Sequence, residues 1–255
     1  RYAGIHINLQ HQRRSGGQTS SQNAQGAGFD EVSVKLVNYK TPMDYEQFKR
    51  IMDIFLAILL GVIFLPISLI VALAVKLESP EGPVFADIPK RAGKNGRPFR
   101  MFKFRSMYPN AHYLLQTDPK MKKLYEEYKK SSFKLYNDPR VSKVGKVIRK
   151  YSVDEIPQLI NILKGEMSLI GPRPYFLDEL EDQQQKYPKT RNLVKKALSV
   201  RPGITGQWQV SGRSDINFDK RIEMDSYYAE NMNLWYDLKI LFKTPFVMLS
   251  GKGAV

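Results

Sequence analysis

The chain has 255 residues with 40 Lys and Arg against 25 Asp and Glu, which gives a formal charge of +15. The absence of cysteine excludes disulfides, thiolate metal sites and thiol nucleophiles. Three scattered histidines (His6, His11 and His112) argue against a His-rich metal site. We therefore expect any catalysis to depend on carboxylates, basic side chains and hydroxyls. The positive charge calls for an anionic partner, namely nucleic acid, an anionic membrane surface or a phosphorylated substrate.

The N-terminal segment, residues 1–44, is predicted to be a flexible arm or linker. Residues 1–28 are small and polar, a composition that does not support a packed core. The first 30 residues lack the apolar stretch of a signal peptide. The absence of an initial Met is compatible with a fragment of a longer chain.

An uncharged run of 22 residues, 54–75, predicts a membrane helix within residues 45–77. As a straight helix it is about 33 Å long, enough for a bilayer core of about 30 Å. The alternative, a buried core helix, fits poorly in a chain so rich in lysine. Basic residues flank both ends of the run, Pro66 removes a helix hydrogen bond inside it, and Asp53 needs head groups or Arg50 as a partner. These features favour a re-entrant helix kinked at Pro66 over a helix that spans the bilayer.

Residues 78–255 are predicted to form a mixed α+β domain. Alternation over 99–106 predicts a strand with Met101, Lys103 and Arg105 on one face. Helices are predicted for two charged stretches within 108–131, for 176–198 and for 234–249. The last of these mixes aromatic and lysine side chains, which suits a helix in the membrane interface. A helix packed on the core is an equal alternative.

A basic stripe leads into an acidic pair. The basic side chains recur every third residue, as on one drifting face of a helix: Arg140, Lys143, Lys146 and Arg149. A solvated helix face explains this stripe when it is considered alone. Asp154 and Glu155 come next, and an amphipathic helix that Gly165 ends is predicted to start there.

The two acidic residues have two interpretations. Acidic side chains in a first helical turn ordinarily complement the helix dipole, and Ser152 with Glu155 matches a capping box. If the helix begins at Asp154 instead, Pro157 falls in its first turn, where its missing N–H is harmless. Asp154 and Glu155 would then stand at a helix N-terminus beside basic residues, where phosphate binds and a metal can bridge carboxylate and phosphate oxygens.

Three later segments rich in Gly, Pro and Arg together predict an anion pocket. These segments are 171–174, 201–206 and 207–213. They supply Arg173, Arg201 and Arg213. Proline on both sides of Arg173 stiffens the backbone and fixes the direction of the guanidinium, which suits bidentate phosphate binding. Each segment alone is more often a turn with an exposed arginine, and the sequence contains no P-loop or GxGxxG motif.

Six motifs occur together in the chain: Lys49-Arg50-x-x-Asp53, Phe102-Lys103-Phe104-Arg105-Ser106-Met107, Asn137-Asp138-Pro139-Arg140-Val141, Asp154-Glu155-Ile156-Pro157-Gln158-Leu159, the segment 164–174, and Arg201-Pro202-Gly203-Ile204-Thr205-Gly206. With them the chain resembles the bacterial sugar transferase family, the monotopic phosphoglycosyl transferases, over residues 45–255. Segments 137–140, 208–213 and 251–255 are similar to the long members of that family. The resemblance implies a small, mainly helical α+β catalytic domain over 78–255, a re-entrant membrane helix kinked at Pro66, and interfacial amphipathic helices.

The resemblance implies a two-step reaction. Asp154 attacks the β-phosphate of a UDP-hexose, UMP leaves, and undecaprenyl phosphate then takes the phosphosugar from the enzyme. The transferred group is galactose- or glucose-1-phosphate, and the product initiates O-antigen, capsule or exopolysaccharide synthesis. Asp154 and Glu155 would hold Mg²⁺. Phosphate and substrate would be bound by six basic residues: Arg149, Arg173, Lys103, Arg105, Arg201 and Arg213.

The resemblance also implies a location and partners. The chain is expected at the cytoplasmic face of the bacterial inner membrane, with Arg50, Asp53 and Pro66 in the membrane segment. A homodimer is a further expectation, whereas nucleic acid is not an expected partner. The sequence departs from the family pattern at Leu65, where small members often have Ser, and at Pro89, where many members have Gln.

Three alternative functions remain open from the residues themselves. A non-catalytic basic scaffold on anionic lipid would use Asp154 and Glu155 only as capping residues. A glycosyltransferase would move the sugar without its phosphate and release UDP rather than UMP. A nucleic-acid-binding domain is disfavoured, because the basic residues interleave with an apolar anchor and no helix-turn-helix, zinc or aromatic stacking motif is found.

Overall fold

The computed structural model of the chain describes residues 43–130, 135, 138–212 and 216–250. The predicted arm, apart from its last two residues, and the predicted family segment 251–255 lie outside these ranges. The described part is mainly helical with a small amount of sheet, which confirms the coarse fold class. It belongs to one compact unit of the chain.

The first helix, α1 (Met43–Glu78), contains the whole apolar run. Within the described residues it is the one helix long and apolar enough to cross a membrane. Pro66 lies inside the helix, and the hydroxyl of Ser68 donates to the Phe64 carbonyl at 2.8 Å, a contact that often bends helices. The helix is assigned without interruption through Pro66, so the kink remains a prediction.

Two short sheets follow in the chain. Strands β1 (Arg91–Ala92) and β2 (Pro98–Phe99) pair antiparallel, and the turn between them places Gly96 at φ +74°, a conformation that favours glycine. Strands β3 (Ser168–Ile170) and β4 (Gly203–Thr205) pair in parallel. Each sheet has only two strands, so helices build most of the domain.

The predicted strand over 99–106 is wrong beyond Phe99. The backbone N–H of Phe104 donates to the Asp154 carbonyl at 2.9 Å, whereas that of Arg105 donates to the Val84 carbonyl at 2.8 Å. Because these hydrogen bonds go to separate segments, no continuous ladder forms. The alternating residues therefore lie in an extended connector between several parts of the domain.

Eight further helices are described. They are α2 (Ala111–Thr117), α3 (Lys122–Lys130), α4 (Lys143–Lys150), α5 (Gln158–Leu163), α6 (Leu177–Lys186), α7 (Arg191–Ala197), α8 (Phe218–Asn231) and α9 (Leu234–Ser250). The two helices predicted within 108–131 and the helix at 234–249 are confirmed. The single helix predicted over 176–198 is divided into α6 and α7, because Pro188 starts a 3₁₀ turn between them. Helix α8 was not predicted.

The hydrophobic core attaches both ends of α1 to the same unit. One cluster packs Ala57 of α1 against buried residues of α5, β3, α8 and α9, including Ile162 and Ile240. A second cluster packs Val71 and Val75 against Phe104 and Ile148 of α4. The stretch between these contacts, residues 62–70, is exposed at every position except Ser68, which is half-buried.

Polar contacts fix the N-terminal part of α1. Lys49 forms a buried ion pair with Asp237 of α9. Arg50 donates to the Ile162 carbonyl at 2.6 Å, and Asp53 accepts from the Leu169 N–H at 3.0 Å. Arg50 and Asp53 therefore each bind the folded domain. The sequence allowed these two residues to pair with each other, but in the structure each binds the backbone of another segment instead.

A second set of polar contacts fixes the C-terminal end of α1. The Glu78 carboxylate accepts from the backbone N–H of Lys143 at 2.7 Å and of Val144 at 3.2 Å, so it caps the N-terminus of α4. Arg105 donates to the carbonyls of Pro83 at 2.7 Å and Ser79 at 2.8 Å. Arg105, predicted to bind phosphate, is buried and instead binds the backbone directly after the end of α1.

Candidate active site

Asp154 lies in a 3₁₀ turn, Val153–Glu155, directly after α4. Its side chain is buried. The prediction that Asp154 begins the amphipathic helix is wrong, because α5 begins at Gln158, after Pro157. The capping box is not formed either: Ser152 adopts a left-handed conformation, φ +55°, and its side chain makes no capping hydrogen bond.

Lys103 lies between the two acidic side chains. Its ammonium is 2.6 Å from Glu155 Oε1 and 3.6 Å from Asp154 Oδ2. The Phe104 N–H binds the carbonyl of Asp154 at 2.9 Å, so the connector also holds the acidic turn through the backbone. Lys103, Asp154 and Glu155 are all predicted site residues, and the structure brings them together.

The electrostatic environment of Asp154 opposes ionisation. Burial raises the pKa of its carboxyl group, the Lys103 charge lowers it, Glu155 raises it and Arg149 lowers it, with a net shift upward. Desolvation is the dominant cause, because the buried carboxylate loses water that the two cations only partly replace. A buried acid with a raised pKa beside specific charge partners is typical of a reactive site.

The Arg173 loop lies on an aromatic ring. The guanidinium groups of Arg173 and Arg221 are 5.0 and 5.2 Å from the centre of the Trp208 ring. Asp225 accepts from the Arg173 N–H at 3.1 Å and from the Tyr175 hydroxyl at 2.8 Å. Burial raises the pKa of Asp225 to about 7. The loop is thus held by its backbone, and the Arg173 charge also acts on the Asp225 carboxylate, although the described residues show no ion pair of Arg173 within 4.0 Å.

Arg91 was not among the predicted site residues, yet it contacts the loop that carries Arg173. It is buried, its guanidinium lies 3.2 Å from the centre of the Phe176 ring, and it donates to the Pro174 carbonyl at 3.1 Å. Burial and the Arg173 charge lower the pKa of Arg91 to about 9, while Glu179, Tyr128 and Glu155 act in the opposite direction. No periodicity could have revealed it, because β1 is only two residues long.

Three further basic residues, Arg149, Arg201 and Arg213, were predicted to bind phosphate or substrate. Arg149 acts on Asp154 through its charge. Arg201 donates to the Gly165 carbonyl at 3.0 Å and pairs with Glu46 at 3.2 Å, which links it to the N-terminal part of α1. Arg213 lies outside the described residues.

The acidic pair is a small donor set for a metal ion. No group of three or more His, Asp or Glu side chains suited to a metal occurs in the described part of the chain. Mg²⁺ is commonly bound by one or two carboxylates together with substrate phosphates and water. Asp154 and Glu155 fit that requirement, provided that a phosphorylated substrate supplies the remaining oxygens.

A buried carboxylate with a raised pKa among basic side chains is typical of an enzyme active site. The chain belongs to the bacterial sugar transferase family, whose sequence model matches residues 44–251. This confirms the family resemblance.

Relatives of known name support the same assignment. An uncharacterized sugar transferase of Haemophilus influenzae is 46% identical over 81% of this chain and 42% of its own length. An undecaprenyl-phosphate galactose phosphotransferase of Salmonella typhimurium is 43% identical over 81% of this chain and 41% of its own length. The exopolysaccharide production protein ExoY of Sinorhizobium fredii is 44% identical over 79% of this chain and 86% of its own length. The chain thus spans about two fifths of the first two relatives.

Proposed function

We propose that this chain transfers hexose-1-phosphate, from UDP-galactose or UDP-glucose, to undecaprenyl phosphate and releases UMP. The product would initiate O-antigen, capsule or exopolysaccharide synthesis. The name of the Salmonella relative, an undecaprenyl-phosphate galactose phosphotransferase, supports the acceptor and the reaction type. The observation that carries the proposal is the buried Asp154 carboxylate, next to Glu155 and Lys103 in a domain attached to the apolar helix.

In the first step an Asp154 carboxylate oxygen attacks the β-phosphorus of the donor. The bond from that phosphorus to the bridging oxygen breaks, and UMP leaves with the electron pair. In the second step an oxygen of undecaprenyl phosphate attacks the same phosphorus, and the Asp154 carboxylate is released. A covalent intermediate divides one transfer between two large substrates into two steps, each with one substrate in the site.

Basic residues would supply most of the electrostatic stabilisation. Lys103 and Arg149 both act on the charge of Asp154, and Arg173 presents a guanidinium on a backbone held by Asp225. Phosphoryl transfer is catalysed mainly by positioning and by neutralising charge on the phosphoryl oxygens. Asp154 and Glu155 would hold Mg²⁺ together with the donor phosphates, and the bound ion would add to this charge neutralisation.

We further propose that α1 is re-entrant at the cytoplasmic face of the bacterial inner membrane. Both ends of α1 contact the same folded unit, and a helix that crossed the bilayer would place its ends on opposite faces. The exposed stretch 62–70, together with exposed apolar side chains of α1 on either side of it, is available to lipid. Exposed aromatic residues of α9, Trp235, Phe242 and Phe246, support an interfacial position for that helix. The expected homodimer remains a prediction.

The identity of the released nucleotide tests this proposal. Full chain in detergent or nanodiscs is incubated with undecaprenyl phosphate, Mg²⁺ and a panel of UDP-sugars, and UMP and UDP are separated by chromatography. We expect UMP and, after acid quenching without acceptor, a phosphohexose adduct on Asp154 by mass spectrometry. UDP release would instead support a glycosyltransferase, and no release with any sugar would support a scaffold. Asp87→Asn, at an exposed position, is the matched control for Asp154→Asn.

A further inference from the structure

Four large apolar side chains are exposed on the two helices that flank the acidic turn. Val147 of α4 and Tyr151 directly after it are 58% and 51% exposed, and Ile160 and Leu163 of α5 are 42% and 46% exposed. We call these four residues the apolar rim. Exposed apolar side chains grouped next to a site commonly mark a surface that binds a ligand, a membrane or a partner.

The α5 part of the rim continues a stripe of residues that packs on α1. Ile156 and Leu159 pack in the cluster that contains Ala57 of α1. Ile160 and Leu163 follow Ile156 at i+4 and i+7, the spacing of one helix face. They therefore share the apolar face that contacts α1, but their side chains stay exposed.

The α4 part of the rim has the same relation to the other end of α1. Val144 packs in the cluster that contains Val71 and Val75 of α1. Val147 and Tyr151 follow Val144 at i+3 and i+7, so they lie on the same side of α4. Each part of the rim is thus an exposed apolar margin beside α1.

The acidic turn lies between these two margins. Ile156, two residues after Asp154, packs against both of the clusters that hold α1. Val153, the residue before Asp154, packs against the second cluster. A molecule that lies along the rim therefore has one end beside the acidic turn and its length beside the apolar helix.

Positive charges border the rim. Lys146 and Lys150 are exposed on α4, and the Lys150 ammonium is 5.5 Å from the centre of the Tyr151 ring. Lysine beside an aromatic ring suits the depth of lipid head groups. At the acidic turn the Lys103 ammonium is 3.6 Å from Asp154 Oδ2. An apolar strip with cations along it matches a lipid that has an apolar chain and a phosphate.

We propose that the apolar rim binds the polyprenyl chain of the acceptor, so that the acceptor phosphate reaches the acidic turn from the membrane. This inference rests on the proposed function, because that function supplies the acceptor. A lipid whose phosphate reacts at Asp154 has to lay its chain along the neighbouring surface, and the rim joins the turn to α1. Burying rim side chains against the chain strengthens acceptor binding and leaves donor binding unaffected.

The two half-reactions make a kinetic test specific. In a two-step mechanism with a covalent intermediate, kcat/KM for the UDP-sugar reports the first step and kcat/KM for undecaprenyl phosphate reports the second. Both are measured in detergent micelles of fixed composition. Val147→Ser and Leu163→Ser should each lower kcat/KM for undecaprenyl phosphate about 5-fold. The double variant should lower it at least about 20-fold, because the two residues lie on different helices.

The donor provides an internal control, since kcat/KM for the UDP-sugar should stay within about 2-fold of the parent in every rim variant. Leu114→Ser, at an exposed leucine of α2, is the matched control variant and should behave as the parent for both substrates. If a serine variant fails to fold, Val147→Ala and Leu163→Ala are judged by the same criterion.

A photo-cross-link locates the chain without requiring turnover. Tyr151→p-benzoylphenylalanine is irradiated in nanodiscs of phosphatidylethanolamine and phosphatidylglycerol that contain undecaprenyl phosphate, and the adducts are identified by mass spectrometry. We expect position 151 to capture undecaprenyl phosphate more often than its share of the lipids predicts. The same replacement of Tyr113, an exposed tyrosine of α2, is the control and should show no such preference.

The outcomes separate the two proposals. Rim variants that keep the parent kcat/KM for undecaprenyl phosphate, or that lose equally for both substrates, overturn the assignment. Capture of all lipids in proportion to their abundance overturns it as well, and identifies a general membrane-contact surface. A changed oligomeric state of the rim variants in size-exclusion chromatography would assign the rim to a contact between copies instead. Preferential capture of undecaprenyl phosphate without UMP release from any UDP-sugar would overturn the proposed function and leave the rim assignment intact.

Discussion

Two buried aspartates of this chain show how similar burial leads to different roles. The Asp237 carboxylate accepts hydrogen bonds from the Tyr228 hydroxyl at 2.6 Å and the Tyr45 hydroxyl at 2.7 Å, and it pairs with Lys49. Asp154 has a cation at 3.6 Å, and that cation binds Glu155 more closely. Both carboxylate oxygens of Asp237 have partners, and two of these partners, Tyr45 and Lys49, belong to α1. Asp237 therefore attaches α1 to the domain. Asp154 is desolvated with its charge only partly compensated, which leaves it available for chemistry.

The largest expected effect follows from removing the carboxylate of Asp154. Asp154→Asn should lower UMP release by at least about 1,000-fold, because a carboxamide cannot replace a carboxylate nucleophile. Product chromatography over time measures this loss. A variant that retains turnover within 10-fold of the parent would contradict the assigned role.

The same variant has a predicted pH signature in stability. Because the folded state raises the pKa of Asp154, the folded protein binds this proton more tightly than the unfolded chain does. The ionised group therefore destabilises the fold once the pH rises above the ordinary carboxyl range, and it has no such effect in acid. Asp154→Asn should unfold at the same or a higher temperature than the parent near neutral pH, as measured by thermal unfolding in detergent. A large loss of stability there would indicate a structural role like that of Asp237.

The opposite result is expected at Asp237. Asp237→Asn leaves the Lys49 ammonium buried without a countercharge, which should lower the free energy of unfolding by about 3–5 kcal/mol. The exposed pair of Glu230 and Lys196 offers the control, since Glu230→Gln should cost less than about 1 kcal/mol. Denaturant or thermal unfolding measures both. If Asp237→Asn were as stable as the control, the distinction between the two aspartates would fail.

Replacing Lys103 tests whether its positive charge beside the Asp154 carboxylate contributes to the rate. Lys103→Gln should lower UMP release by about 10- to 100-fold, because it removes a cation beside the reacting group. The loss of this cation also raises the pKa of Asp154 further, so the acidic limb of the pH–rate profile should move to higher pH. A reduced rate with an unmoved acidic limb would show that Lys103 does not act through the Asp154 charge.

The smallest effect is expected at the other end of α1. Glu78→Gln removes the negative charge that caps α4 and should lower stability by about 0.5–1 kcal/mol. Glu81, nearby and exposed, is the control, since Glu81→Gln should change nothing measurable. Thermal unfolding measures the stability of both variants relative to the parent. A loss at Glu78 as large as that at Asp237 would show that both ends of α1 contribute equally to stability.

Several features could be predicted because their signals are local. The run 54–75 is uncharged over a length that suits a bilayer, and α1 contains it. The acidic pair and Lys103 belong to short motifs, and the structure brings them together. In contrast, the predicted start of α5 is wrong, because Ser152 is left-handed and the 3₁₀ turn after it is bound by the Phe104 N–H, a partner about 50 positions earlier in the chain.

The long apolar helix, the mainly helical character and the acidic motif could be predicted from the sequence, since these depend on composition and on neighbours along the chain. The role of each buried cation, in contrast, depends on contacts between distant parts of the chain. Arg105 and Arg91 are the same residue type in basic surroundings, yet Arg105 caps α1 through Ser79 and Pro83, whereas Arg91 lies on Phe176 and Pro174, about 80 positions away along the chain. The role of a buried charge is set by the partners that folding brings within a few ångströms, and those partners have no fixed spacing in the sequence.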